Sequence, residues 1–123
     1  MNPETVVRDF CAAFERQDAQ ELLGFFAEDA VYHNIPFEPA VGRDAIEATL
    51  NMFISDDSEG SFELVHLAVN GNVVLTERID RVTMQGKVAT LPVMGTFEVN
   101  DAGKIRAWRD YFDVAMLMSQ VNG

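Results

Sequence analysis

The chain has little that would cross-link it, attract polyanions or hold it in a membrane. Cys11 is its one cysteine among 123 residues, so an internal disulfide and a disulfide-stapled secreted scaffold are excluded. Nine lysines and arginines stand against twenty aspartates and glutamates, and the net charge of −11 argues against nucleic-acid and anionic-membrane partners. No apolar run approaches the roughly 20 residues of a membrane-spanning helix. The charged N-terminal segment lacks the apolar core of a signal peptide, so we expect a cytoplasmic protein.

The composition that remains is typical of a folded domain. Apolar residues make up 48% of the chain and charged residues 24%. The sequence has no repeat, linker or low-complexity stretch, and 123 residues is the length of one ordinary domain. We therefore expect a single domain over residues 1–123.

The first half of the sequence has mainly helical patterns. Apolar residues recur at helical spacing after Pro3, and Asp18 followed by Glu21 resembles a capping box. Pro36 and Pro39 enforce a loop. These patterns predict helices over about 3–17, 18–26 and 43–54, with a short strand over about 30–35.

The second half has the pattern of long strands joined by tight turns. The turns are predicted at Asn70-Gly71, at Gln85-Gly86 and at 101–103. The predicted strands cover about 61–69, 73–84, 88–99 and 104–112, and a short helix follows at about 113–120. Helices followed by a strand meander indicate an α+β fold with a strongly curved, mostly antiparallel sheet. The N-terminal helices would close a deep apolar pocket on its concave side.

Strand alternation places polar side chains beside bulky apolar ones. Residues two apart in a strand share a face, which pairs Tyr32 with Asn34 and Arg78 with Asp80. In the last predicted strand Asp110 lies between Trp108 and Phe112 on one face. A carboxylate on an apolar face is costly unless it is paired, and Arg78 is the available cation.

The sequence offers no convincing metal or cofactor site. His33 alternates away from the polar face, and His66 has no second ligand at metal spacing. The acidic segment 56–59 lacks the pattern of a calcium loop. The glycines are interpreted as turn residues without phosphate-binding spacing. We therefore predict neither a metal nor a cofactor.

Three segments carry a resemblance to a known family. VYHNIP with Tyr32 and Asn34, ERIDRV with Arg78 and Asp80, and WRDYFD with Asp110 look like the active-site motifs of the limonene-1,2-epoxide hydrolase family. FAEDAVYHNIP and GRDAIEATL extend the similarity to nearly the whole chain. The resemblance implies a cone-shaped α+β barrel of the nuclear-transport-factor-two type, which ketosteroid isomerase also has.

The resemblance also implies a mechanism without a cofactor or a covalent intermediate. Asp110 would be the general base that activates water, and Tyr32 and Asn34 would hold that water. Asp80 would enter protonated and donate to the epoxide oxygen, while Arg78 would bridge both carboxyls. The product would be a vicinal diol.

The apolar positions near these motifs predict a lipophilic substrate. The residues expected to line the pocket are Phe14, Phe53, Val82, Leu91, Val93 and Phe112. Terpene, steroid and fatty-acid epoxides all remain open. Two other functions also remain open: an isomerase, dehydratase or cyclase on the same fold, and a non-catalytic lipid-binding module.

A second surface suggests association between copies of the chain. Arg109, Tyr111, Phe97 and Val99 are expected on the outer face of the sheet. Proteins that resemble this family usually pair through that face, so we expect a homodimer.

Overall fold

The computed structural model describes residues 2–122, which form four helices and six strands. The helices are α1 (Pro3–Ala13), α2 (Ala19–Leu23), α3 (Arg43–Leu50) and α4 (Val114–Asn122), and a 3-10 turn at Phe14–Arg16 extends α1. The strands are β1 (Phe26–Asn34), β2 (Ala40–Val41), β3 (Ser61–Asn70), β4 (Val73–Met84), β5 (Lys87–Val99) and β6 (Ile105–Tyr111).

The strands form one curved, mixed sheet in the order β2-β1-β6-β5-β4-β3. Neighbours are antiparallel except β1 and β6, which run parallel. The α+β, mostly antiparallel architecture is thus confirmed. The sheet is open, because β2 and β3 are its two edges and no pairing joins them. The sheet of the expected cone-shaped barrel is therefore not closed.

Side-chain caps fix where the first two helices begin. The Asn2 side chain accepts hydrogen bonds from the backbone N–H groups of Glu4 and Thr5, with Pro3 at the first helical position. Asp18 caps α2 in the same way, through the N–H groups of Gln20 and Glu21. Both helix starts follow the predicted signals.

The last three residues of the predicted 18–26 helix are not helical. The helix ends at Leu23, and β1 begins at Phe26 because that residue pairs with Ile105 of β6. The predicted strand 30–35 is therefore only the end of a longer strand. The predicted proline loop contains β2, whose Ala40 pairs with Tyr32. These pairings join residues that are distant in sequence, so local periodicity does not reveal them.

Helix α1 packs against β3, β4 and β5 and covers one face of the sheet. Phe10 on this helix makes edge contacts with Phe97 and Trp108, and all three side chains are fully buried. Phe97 and Val99 were expected on the outer face, but both are buried under the helices. Tyr111 does point outward and is 48% exposed.

No helix within residues 2–122 is both long and apolar enough to cross a membrane.

Candidate active site

A row of residues crosses the sheet and defines the floor of the site. Asn34 of β1 is in register with Asp110 of β6, and Asp110 is in register with Gly95 of β5. Gly95 in turn faces Thr76 of β4. Two residues further along β4, on the same face, Arg78 lies beside Val93 of β5. Three polar side chains from two strands, Thr76 and Arg78 of β4 and Asp110 of β6, are thereby placed around a glycine.

Arg78 donates all five of its guanidinium N–H groups to this cluster. Nε and Nη2 bind the two oxygens of Asp80 at 2.9 and 2.7 Å, and Nη1 and Nη2 bind the two oxygens of Asp110 at 3.1 and 2.8 Å. The remaining Nη1 donor reaches Oγ1 of Thr76 at 3.1 Å. The Thr76 hydroxyl in turn donates a hydrogen bond to the carbonyl oxygen of Gly95 at 3.0 Å. Arg78 therefore contacts both carboxyl groups and Thr76 at the same time.

Asp110 has a second donor that sequence analysis missed. The indole N–H of Trp108 binds Oδ1 of Asp110 at 2.7 Å. The indole ring is held on both sides, with its centroid 4.0 Å from the Tyr32 ring and 5.3 Å from the Phe97 ring. The alternation of β6 put Trp108 and Asp110 on one face, but it did not indicate a hydrogen bond between them.

Gly95 is the second residue that sequence analysis missed, because the glycines were interpreted as turn residues. It lies in the middle of β5, and a Cβ there would come within 3.0 Å of Asp110 Oδ1 and Arg78 Nη1. A glycine inside a strand often marks such a close approach, so its position was an available signal. The ion pair needs this position to have no side chain.

The cluster is almost completely removed from water. The Arg78 side chain is 0% exposed, and the side chains of Asp80 and Asp110 are each 5% exposed. Arg78 also lies over the Phe62 ring, with 4.6 Å from the guanidinium carbon to the ring centroid. A buried cation with two carboxyls requires every polar atom to be paired, which the hydrogen bonds above achieve.

Burial and charge shift the protonation of the cluster. Burial raises the pKa of Asp80 to about 6; the Arg78 hydrogen bonds and charge oppose that shift, and the negative charge of Asp110 adds to it. Burial alone would lower the pKa of Arg78, but the charges of Asp110 and Asp80 outweigh it and hold that pKa well above its ordinary value. Arg78 therefore stays positively charged, whereas the raised pKa lets Asp80 keep its proton to a higher pH than an ordinary aspartate does.

Tyr32 and Asn34 reach the same cavity from β1. Tyr32 is buried, and its burial raises the pKa of the hydroxyl far above the ordinary value, with a further contribution from the charge of Asp110. A hydrogen bond with Asn34 opposes this shift. The hydroxyl therefore stays neutral and keeps a proton to donate.

A cavity of about 560 Å³ opens onto these groups. Five residues expected to line a pocket are in its wall: Phe53, Val82, Leu91, Val93 and Phe112. Phe14 is not. It is fully buried in the core, where its ring stacks on Phe62 at 3.7 Å, and Phe62 faces the cavity instead.

Several wall residues come from segments outside the three sequence motifs. The middle of α4 contributes Leu117 and Met118, and the loop after β1 contributes Phe37 and Glu38. The other lining residues are Tyr32, Asn34, Thr49, Met52, Phe62, Asp80, Met84, Gln85 and Asp110. Most of this wall is apolar, and its polar groups are concentrated at the floor and at the rim.

Both histidines have neighbours of their own away from the acidic cluster. Nε2 of His33 lies 2.8 Å from the carbonyl oxygen of Phe37, and Nδ1 of His66 lies 2.8 Å from a carboxylate oxygen of Glu77. Within residues 2–122, no three side chains of the types that bind metals come together.

The fold is of the nuclear-transport-factor-two-like α+β class. The family model described as the limonene-1,2-epoxide hydrolase catalytic domain matches residues 1–122. The chain therefore belongs to the limonene-1,2-epoxide hydrolase family, as the three sequence motifs predicted.

Individual relatives agree with this assignment. The chain is 33% identical over 110 residues to the epoxide hydrolase EphG of Mycobacterium tuberculosis, which covers 88% of this chain and 71% of that protein. The structure of an M. tuberculosis LEH-like epoxide hydrolase superimposes with a TM-score of 0.77 at 31% identity, over 97% of this chain and 89% of that one. SalBIII, an epoxide hydrolase/cyclase-like enzyme, superimposes with a TM-score of 0.82 at 18% identity, over 92% of each chain. At that identity SalBIII supports the fold alone.

Proposed function

We propose that this protein is a cofactor-free epoxide hydrolase that adds water to a lipophilic epoxide and releases a vicinal diol. The observation that carries the proposal is the guanidinium of Arg78, which binds Asp80 and Asp110 together at the floor of an apolar cavity. Membership of the limonene-1,2-epoxide hydrolase family and the similarity to EphG support the same reaction.

Asp110 is the general base in this proposal. It takes a proton from a water molecule while the water oxygen forms a bond to one carbon of the epoxide ring. Tyr32 and Asn34 line the cavity beside Asp110 and would hold that water, so that a lone pair faces the carbon. The neutral tyrosine hydroxyl and the amide supply both donors and acceptors for this purpose.

Asp80 is the general acid. As the C–O bond of the ring breaks, the leaving oxygen takes the proton of Asp80 and becomes a hydroxyl group. The pKa of about 6 supports this role, because it leaves a protonated fraction near neutral pH that an ordinary aspartate lacks. After the reaction Asp110 holds a proton and Asp80 does not, so one proton must move back before the next turnover.

Charge balance explains why the two carboxyls need Arg78 between them. One aspartate, one aspartic acid and one guanidinium sum to zero charge, which an apolar cavity tolerates. Arg78 contacts both carboxyls from behind and holds their orientations, so the acid and the base keep a fixed separation. Positioning of this kind supplies much of the rate enhancement when the nucleophile is water.

The substrate is assigned to the lipophilic class because of the cavity wall. Phe53, Val82, Leu91, Val93 and Phe112 present apolar surface above the acidic floor. A volume of about 560 Å³ is within the range of small-molecule sites. Binding would transfer apolar surface of the epoxide out of water.

Hydrolysis in ¹⁸O-labelled water tests the reaction. The purified protein is incubated with limonene oxide, cyclohexene oxide and styrene oxide, and the products are analysed by mass spectrometry. We expect a diol with one ¹⁸O atom already in the first turnover, because the attacking oxygen comes from water. Unlabelled diol from a single turnover would indicate an enzyme carboxylate as the nucleophile and reject the mechanism.

Two variants test the residue assignments. Asp80→Asn and Asp110→Asn should each lose turnover by at least about 100-fold, because each removes one proton-transfer role. An isomerase, dehydratase or cyclase would instead convert substrate without incorporating label from water. A lipid-binding module would bind these ligands and leave them unchanged.

We also propose a cytoplasmic homodimer. Leu75, Met94 and Tyr111 point away from the cavity and are 49%, 54% and 48% exposed, which leaves apolar surface on the outer face of the sheet. Light scattering behind a size-exclusion column should give twice the chain mass. Met94→Glu should convert the dimer to a monomer, and a monomeric parent protein would contradict the proposal.

A further inference from the structure

The cavity wall has acidic side chains and no basic ones among its described residues. Among the described residues that line it, three have acidic side chains, Glu38, Asp80 and Asp110, and none is a lysine, arginine or histidine. Glu38 is at the exposed end of the wall, whereas the two aspartates form the floor. A ligand that enters the cavity therefore meets acidic groups at both ends.

Arg78 is a cation at the floor, but it is not available to bind an anionic group of a ligand. Its five N–H groups bind Asp80, Asp110 and Thr76, and its side chain is 0% exposed. A guanidinium has five N–H donors and no acceptor. A carboxylate on a substrate would have to displace one of the aspartates to reach it.

The wall has few uncharged polar groups, and some of them already make hydrogen bonds within the protein. The Thr49 hydroxyl donates to the carbonyl oxygen of Ala45 at 3.0 Å and so has no proton left for a ligand. Tyr32 and Asn34 lie at the floor beside Asp110. Gln85 is exposed at the far rim. A buried ligand carboxylate would thus remain largely unpaired, which is costly.

The whole chain adds a weaker effect of the same sign. The net charge of −11 produces a negative potential that lowers the local concentration of anions. Salt screens this effect beyond about 8 Å, so the groups of the wall dominate.

We infer that the cavity selects uncharged lipophilic epoxides and excludes those that carry a carboxylate near the reacting ring, which favours terpene or steroid epoxides over free epoxy fatty acids. The inference deepens the proposed function and rests on it for the claim that the ligand is an epoxide. The charge selectivity itself is a property of the wall, and it can be measured by binding without turnover.

Binding of a matched pair of unreactive ligands tests the selectivity. Calorimetry at pH 7.5 compares 4-pentylcyclohexanecarboxamide with 4-pentylcyclohexanecarboxylate, which have nearly the same shape and differ in charge. We expect the amide to bind at least about 30-fold more tightly. Equal affinities would overturn the inference, and so would failure of both to bind, since the cavity would then not accept uncharged lipophiles.

A substitution at the rim tests whether charge is the cause. Met52 lines the cavity, is 68% exposed, and has an unbranched side chain similar in length to lysine. Met52→Lys should improve carboxylate affinity by about 5-fold or more relative to Met52→Gln, a neutral control of similar size. If the two variants bind the carboxylate equally, a steric or solvation effect of the wall explains the selectivity and the charge argument is wrong.

Turnover supplies a readout that separates this inference from the proposed function. The substrates are 3,4-epoxycyclohexanecarboxamide and 3,4-epoxycyclohexanecarboxylate, both small enough to enter completely. Hydrolysis of the amide with at least about 30-fold lower kcat/KM for the carboxylate supports both proposals. Equal hydrolysis of the two contradicts only the charge selectivity. If neither reacts, the hydrolase proposal fails, and the calorimetric comparison still decides the selectivity.

Discussion

The indole N–H of Trp108 binds Oδ1 of Asp110 at 2.7 Å, and Nη1 of Arg78 binds the same oxygen at 3.1 Å. Both lone pairs of Oδ1 are therefore in use. Within residues 2–122, Oδ2 accepts only from Nη2 of Arg78, a nitrogen that also donates to Asp80. Oδ2 is thus the oxygen of Asp110 with acceptor capacity left for water, and Trp108 fixes which oxygen that is.

Trp108→Phe tests the contribution of this hydrogen bond. Phenylalanine keeps an aromatic ring between Tyr32 and Phe97 but has no N–H donor. A hydrogen bond to a charged group is worth a few kcal/mol, so we expect kcat to fall by about 10- to 100-fold. KM should change little, because the indole is not in the cavity wall. Steady-state kinetics with circular dichroism would reject the role if kcat falls only as far as the folded fraction does.

Gly95→Ala tests the close approach of Arg78 and Asp110. The added methyl group would meet an oxygen of Asp110 and a nitrogen of Arg78 at less than 3.0 Å, and neither can retreat without breaking the cluster. We expect kcat/KM to fall by at least about 100-fold and stability to fall by about 1–3 kcal/mol.

Thr90→Ala is the matched control for this glycine. It changes an exposed side chain of the same strand, so both kcat/KM and the unfolding midpoint should stay near the parent values. An active Gly95→Ala variant would show that the ion pair can rearrange and that its geometry is not required.

The polar residues of the site were predictable because strand periodicity is local. Successive side chains of a strand point to opposite faces of the sheet. Arg78 and Asp80 are two residues apart, so they had to share a face once β4 was recognised. The cost of burying Asp110 beside aromatic residues then indicated a cation partner. The family motifs supplied the link between strands, which periodicity alone does not provide.

The predictions that were wrong concern contacts between segments that are distant in the sequence. Phe14 follows the apolar stripe of α1, but only the packed structure shows that Phe62 lies between it and the cavity. The short strand β2 forms because Ala40 meets Tyr32 across a proline loop. Phe97 shares the alternation of Gly95 in β5, so it points inward with the site.

Arg78→Met should destabilise the fold strongly at neutral pH. The change removes the cation that pairs two carboxyls with 5% side-chain exposure, and breaking a buried pair typically costs about 3–5 kcal/mol. The loss should become smaller near pH 4, because a protonated Asp80 no longer needs the cation. Urea unfolding at both pH values measures the difference.

Arg81→Met is the control for the loss of an arginine from the same strand. Arg81 is 46% exposed and lies 3.6 Å from Glu63, a surface pair that contributes little. Its unfolding free energy should change by about 0.5 kcal/mol or less at either pH. If Arg78→Met behaved in the same way, the buried cluster would not be a stabilising ion pair.

The raised pKa of Asp80 predicts how activity depends on pH. If the protonated form of Asp80 donates to the epoxide oxygen, kcat/KM should fall as pH rises above about 6 in the free enzyme. Asp57→Asn, a substitution in an exposed loop, should leave this fall of kcat/KM with rising pH unchanged. A kcat/KM value that stays constant from pH 5 to 8 would contradict the assignment of Asp80 as the acid.

The same pKa fixes the sign of a stability effect that is independent of catalysis. Asp80 holds its proton in the folded state up to about pH 6, whereas an unfolded aspartate loses it near 3.8. Between these values the folded state binds more protons, so the contribution of Asp80 is fully present below about pH 3.8 and is lost as pH rises through about 6.

Asp80→Asn cannot titrate, and comparing it with the parent protein cancels the other groups. The parent should therefore lose stability relative to Asp80→Asn between pH 4 and pH 7 in urea unfolding. A difference that grows in the opposite direction would mean that Arg78 stabilises the ionised form more than burial disfavours it, and Asp80 would then be unsuited to donate a proton.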